Sequence, residues 1–277
     1  TEIYYSSFLE NGFSITINGE KIEPSVNVMA IEENFDSKSE AISPYVYVDD
    51  IDGVKVSLTI GFYRTFASSQ EEDDALQGTE SKASSSKAGI TIICNDRVVL
   101  HADKTRMTGW GESGVPSYHT QFISIAGIVK FQCNDPAKLP LTTTKRGIEG
   151  NSELYLKVKD RIRQGLKLFT NFTNKWKNRE DRNKLSIHAG TTRNIAPSEV
   201  EKMIPNNMWK PMRGQPNAKQ FIPQLPTPPK ESKDRRITFS RPIEEIKVIS
   251  EYYFENDSTP PKEVGERCFD EALRRAR

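Results

Sequence analysis

Residues 139–149 read LPLTTTKRGIE. Thr142, Thr143 and Thr144 favour extended backbone, and Gly147 allows a turn. The segment therefore delivers Lys145 and Arg146 to the tip of an extended loop. Two cations at such a tip suit contact with an oxyanion. An ammonium held there neutralises phosphate charge most strongly where water is scarce. Arg146 would do the same or pair locally. The competing reading is a solvated lysine, and what weighs against it is position: a buried strand precedes the loop and a long helix follows it.

A second basic feature lies just downstream. From Lys157 to Lys184 there are ten Lys or Arg against three Asp or Glu. Lys159, Arg163 and Lys167 fall on the outer face of a helix, where they could meet a nucleic-acid backbone or simply face water. Residues 109–114, GWGESG, match G-x-G-x-x-G, but no hydrophobic strand leads into them and a proline follows, so a dinucleotide loop is not supported. A glycine-rich surface loop is the better reading. His101, His119 and His188 lack a second His or Cys at ligand spacing, and no metal site is expected. The motifs GxSxG, HExxH and GxxxxGK[ST] are absent.

These side chains need a scaffold, and the hydrophobic pattern predicts one. FSITINGEKIEP (13–24) reads as a hairpin turning at Asn18-Gly19, and residues 45–63 as a second turning near Asp52-Gly53. GITIICNDRVVL (89–100) reads as a third pair turning at Asn95-Asp96. Residues 118–134 form a strand region with a buried middle. The opening segment, IYYSSFLENGFSITING, also reads as strand. Between Ser152 and Lys177 the positions Leu154, Val158, Ile162, Leu166, Phe169, Phe172 and Trp176 step by three and four, one face of a packed helix. Residues 67–88 are Ser-rich and acidic, a flexible insertion. Seven prolines in 205–229 suggest an extended connector. RRITFS (235–240) suggests a strand, and 242–254 and 261–276 suggest two short helices.

The chain has 277 residues, 35% hydrophobic and 28% charged, with net charge +1. No whole-chain field points to nucleic acid or membrane. Three separated cysteines, Cys94, Cys133 and Cys268, indicate reduced thiols and a cytoplasmic setting. No apolar run approaches the ~20 residues of a membrane span. The start at Thr1, straight into structured sequence, suggests a piece of a longer protein.

The order of these pieces resembles the GHKL ATPases, the superfamily of gyrase B, MutL, the heat-shock chaperone and MORC. It is most similar to the MORC- and MutL-type members. GITIICNDRVV resembles the transducer strand of type G-x-x-x-Y-x-N-x-R-x-I. TTTKRG resembles the loop whose lysine reaches the γ-phosphate of ATP held in a neighbouring domain. The resemblance covers about residues 1–180.

The resemblance implies an α+β fold: a four-stranded mixed sheet backed by helices, the ribosomal-protein-like transducer, with a left-handed βαβ crossover. Residues 1–33 would be the closing strands of a truncated ATP-binding domain, and 40–184 the transducer. Residues 185–234 would be the Pro-rich connector and 235–277 a small strand-helix-helix region. Lys145 would be the catalytic phosphate contact, with Thr144 and Arg146 shaping its loop. ATP and magnesium would serve the parent protein, and the implied partners are the missing ATP-binding domain, a second copy as a homodimer, and DNA. The family's magnesium-holding Asn, catalytic acid, Asp-x-Gly-x-Gly and glycine-rich lid are absent, so this chain alone is expected neither to bind ATP well nor to hydrolyse it. Two rival readings stand beside this one. One is a non-catalytic nucleic-acid-binding module using the basic helix. The other is an interaction scaffold docking through 235–277.

Overall fold

A computed structural model describes residues 2–64, 86–144, 147–176, 191–228, 237–238 and 240–277. Most of the 67–88 insertion, Lys145, Arg146, the basic run after Trp176 and half of RRITFS lie outside the described residues; Ile237, Thr238 and Ser240 are described and are not in a strand. The chain divides into two compact units, Thr1–Pro229 and Lys230–Arg277.

The first unit is built around a hairpin, β4 (Tyr45–Ile51) and β5 (Val54–Phe62). Asp52 and Gly53 both have positive φ, 53° and 82°, which gives the primed turn that matches strand twist. The same chemistry closes β1 (Thr16–Ile17) on β2 (Glu20–Lys21) through Asn18-Gly19. It also closes β6 (Gly89–Cys94) on β7 (Arg97–Asp103) through Asn95 and Asp96. Strand β8 (Ile125–Gln132) then lies between β5 and β6, antiparallel to the first and parallel to the second. Between β6 and β8 the chain runs through β7 and two 3-10 turns without an α-helix. This parallel pair is therefore not a βαβ unit.

The sheet is larger than four strands. Strands β10 (Lys210–Met212) and β11 (Gln215–Phe221) extend it beyond β4, giving the order β10-β11-β4-β5-β8-β6-β7. This corrects the reading of 185–234 as a plain connector, for β9 (Thr192–Ile195) and α3 (Pro197–Met203) lie there too. The prolines misled because their positions tolerate them: Pro211 lies in an edge strand, and Pro216 precedes Lys219–Phe221, the part of β11 that pairs with β4. The N-terminus also differs from expectation. Residues Ser6–Glu10 form a short helix, α1, not strand. Ser6, Ser7 and Leu9 are buried together, which alternation cannot do, and the Ser7 hydroxyl donates to Asp96 Oδ1 at 2.9 Å.

Helix α2 (Glu153–Lys175) covers one face of the sheet. Ser152 caps it by accepting from Tyr155 N at 3.2 Å. The expected stripe is the buried one: Val158, Ile162, Leu166, Phe169, Phe172 and Trp176 join Leu58, Ile60 and Phe62 in a single core. A Cβ built on Gly165 would sit 2.8 Å from Ile60 Cδ1 and 2.9 Å from Tyr45 Cδ1. Only glycine lets the helix approach the sheet this closely. The opposite face is partly covered by β3 (Met29–Glu32), which pairs with β9, and by α3; Met29, Ile31 and Val200 pack there with Val46 and Ile128.

The second unit holds α4 (Ile243–Phe254) and α5 (Pro261–Ala276), both at their expected places. Ser250 and Val264 are buried, while Val248, Tyr252 and Phe269 are exposed. Among the described residues no helix is long and apolar enough to cross a membrane.

Candidate functional site

The loop after β8 is a closed excursion. Leu141 and Ile148 form an isolated antiparallel bridge. Thr142 N donates to Gly147 O at 3.1 Å and Glu149 N to Pro140 O at 2.9 Å. Its two bases are pinned, since Leu139 and Ile148 are 7% and 6% exposed. Thr144 is exposed on the far side, its hydroxyl 3.3 Å from that of Thr142. Lys145 and Arg146, between Thr144 and Gly147, lie outside the described residues. The described residues on either side, 139–144 and 147–149, thus form the two stems of a short loop held between a buried strand and a capped helix.

The N-terminal end of α2 is tied to a neighbouring turn. Tyr155 donates from its hydroxyl to Met107 O at 2.8 Å. Burial keeps that phenol protonated, well above its ordinary range. A Cβ on Gly150 would lie 3.1 Å from Met107 Sδ.

The basic face of α2 is not bare, and the glycine-rich loop is the reason. Gly109, Gly111 and Gly114 have positive φ, 96°, 71° and 82°, so GWGESG can lie flat on the helix. Trp110 anchors it at 1% exposure, edge-on to Tyr118 with ring centroids 5.3 Å apart. Glu112 then accepts from both Lys159, at 2.9 Å, and Arg163. Arg163 also donates to Asp160 at 2.7 Å. Hydrogen bonds from Arg163 and then Lys159 hold the Glu112 carboxyl below the ordinary carboxylate range. Of the three candidate nucleic-acid contacts, the structure brings Lys159 and Arg163 together on one carboxylate. Lys167 stays exposed beside Gly114. Sequence reasoning missed Glu112, because nothing local signals a partner about fifty residues away.

The remaining candidates have quieter roles. His101 is half-buried, and burial lowers its pKa. His119 accepts from Gln121 N at 3.3 Å at the start of a 3-10 turn, and His188 lies outside the described residues. Burial pushes the Cys94 thiol up to about 12, which makes it a poor nucleophile. Among the described residues no group of three or more His, Cys, Asp or Glu could hold a metal ion. A scan against protein-family models gives no match, and neither does a search of curated proteins.

Proposed function

We propose that this chain is the transducer part of a GHKL-type ATPase, and that its 142–147 loop offers Lys145 to the γ-phosphate of ATP held by a separate ATP-binding domain. The observation that carries the reading is the pinned loop. Its Leu141–Ile148 bridge and buried bases join it to β8 on one side and to the capped start of α2 on the other. A cation on such a mount loses little freedom on meeting a phosphate. The chain's own part is to place that charge and to stabilise the negative charge that develops in phosphoryl transfer. Loop position then passes to α2 through Ser152 and on to the glycine-rich loop through Tyr155 and Met107. A two-state element of this kind gives nucleotide state a route to a partner such as a second copy or DNA.

The test is steady-state ATP turnover by the complete gene product, with and without Lys145→Ala. Turnover should fall by ~10²–10³-fold with folding retained, the usual cost of losing one charge-stabilising donor. Equal turnover in a folded variant refutes the phosphate role. The rival nucleic-acid reading is weakened by Glu112, which already occupies two of the three cations that reading requires.

A further inference from the structure

The sheet face away from α2 carries a cleft that the nucleotide reading does not use. It encloses about 560 Å³ between β4, β5, β8, the Asn217 end of β11 and α3, within the ~300–1,000 Å³ of small-molecule sites. Val56, Leu58, Val129 and Phe131 take the α2 side. Strand alternation then turns Lys55, Ser57, Thr59, Lys130 and Gln132 to the cleft. Ser57 stands opposite Lys130, and Lys55 opposite Gln132. Lys55 and Lys130 are therefore diagonal neighbours on one face, their Cβ atoms about 7 Å apart. Lys202 of α3 adds a third ammonium to the lining.

Three carboxylates share the lining, but these cations are not paired with them. Among the described residues none of the three lysines makes an ion pair. Two of the carboxylates on the lining are engaged by groups of their own hairpin. Asp49 accepts from Tyr47 Oη at 2.7 Å and Asp50 N at 2.8 Å, and Asp50 accepts from Gly53 N at 3.0 Å. Glu201, on the α3 side, is the third acid of the lining. Like charges placed diagonally on one sheet face repel, and Lys130 is half-buried, which sharpens the repulsion. Thr59 is only 1% exposed yet lines the cleft, and Ile128, at 4%, gives the floor an apolar patch. An occupant with a negative group and a short apolar body meets all of these at once.

We propose that this cleft binds a small molecule bearing an oxyanion, a carboxylate or a phosphate. Lys130 and Lys55 carry the charge contact, the Ser57 and Thr59 hydroxyls donate from the floor, and Lys202 reaches in from α3. The site is independent of the 142–147 loop, so its failure would leave the ATPase reading untouched.

The test is isothermal titration of the full chain with inorganic phosphate and, separately, with malonate, at ionic strength held constant with sodium chloride. Saturable binding of either probe is expected, weakened about tenfold or more by Lys130→Met. Thr59→Val, nearly the same shape, should also weaken it, and Lys21→Met, on the distant β1–β2 hairpin, should not. Circular dichroism checks that each variant folds. A preference for phosphate supports phosphoryl compounds as occupants, and a preference for malonate supports carboxylates. No saturable binding of either probe by the folded chain overturns the proposal. So does binding that survives both Lys130→Met and Thr59→Val.

Discussion

Strand β5 shows the two faces of the central sheet side by side. Leu58 and Ile60, at 0% exposure, point into the aromatic core beneath α2. Their neighbours Ser57 and Thr59 point the other way, into a cleft lined by lysines. The first face is packed against apolar side chains of α2, and glycine at position 165 lets that helix sit close on Ile60 and Tyr45. The second changes character along its length, apolar under β3, β9 and α3 and polar beyond them. One face of the sheet is therefore committed to stability, and the other keeps room for chemistry.

Substitutions on the two faces should separate sharply in urea unfolding. Phe169→Ala removes a fully buried ring that meets Phe62 edge-on at 4.9 Å, and should cost about 3–5 kcal/mol. A loss below ~1 kcal/mol would mean that α2 does not hold the sheet. Gly165→Ala places a methyl against Ile60 and Tyr45 and should cost about 1–3 kcal/mol by overpacking. A neutral result would show that the helix can lift away freely.

Glu112→Gln should cost about 1 kcal/mol at neutral pH, since it leaves Lys159 without a counter-charge and Arg163 with Asp160 alone. This effect has a pH signature. The folded Glu112 carboxyl titrates below its ordinary value of 4.5, so the folded state holds fewer protons than the unfolded one as acid is added. The stabilisation is complete above the ordinary value and disappears as pH falls through the lower folded one. The difference between wild type and variant should therefore close in acid, and a gap constant down to pH 3 would remove Glu112 from the account. The smallest effect belongs to the cleft face: Thr59→Val nearly keeps the shape of a buried side chain and should change stability by only about 0.5 kcal/mol. A loss as large as that of a core residue would mean the cleft is part of the core.

Much of the scaffold was legible because its signals are local. Asn18-Gly19, Asp52-Gly53 and Asn95-Asp96 each needed positive φ, and each closes a hairpin. The apolar spacing of 154–176 marked α2 and its buried face. The N-terminal segment misled because Ser6, Ser7 and Leu9 owe their burial to partners far along the chain. The 205–229 prolines misled because composition does not say which strand lies at an edge. At the candidate site the loop and its anchors could be read from TTTKRG and the helix that follows. The carboxylate that meets Lys159 and Arg163 could not.

The sequence alone determined the hairpins, the long amphipathic helix and the cationic loop between a strand and a helix. Each depends on backbone preference and side-chain spacing over a few residues. Tertiary structure decided that β8 inserts between β5 and β6, that β11 joins β4, that Glu112 pairs with Lys159 and Arg163, and that Lys55 and Lys130 share a cleft. Those outcomes follow from pairing and burial summed over the whole chain. A strand's neighbours are chosen by the surface they jointly remove from water, and no local window of sequence carries that sum.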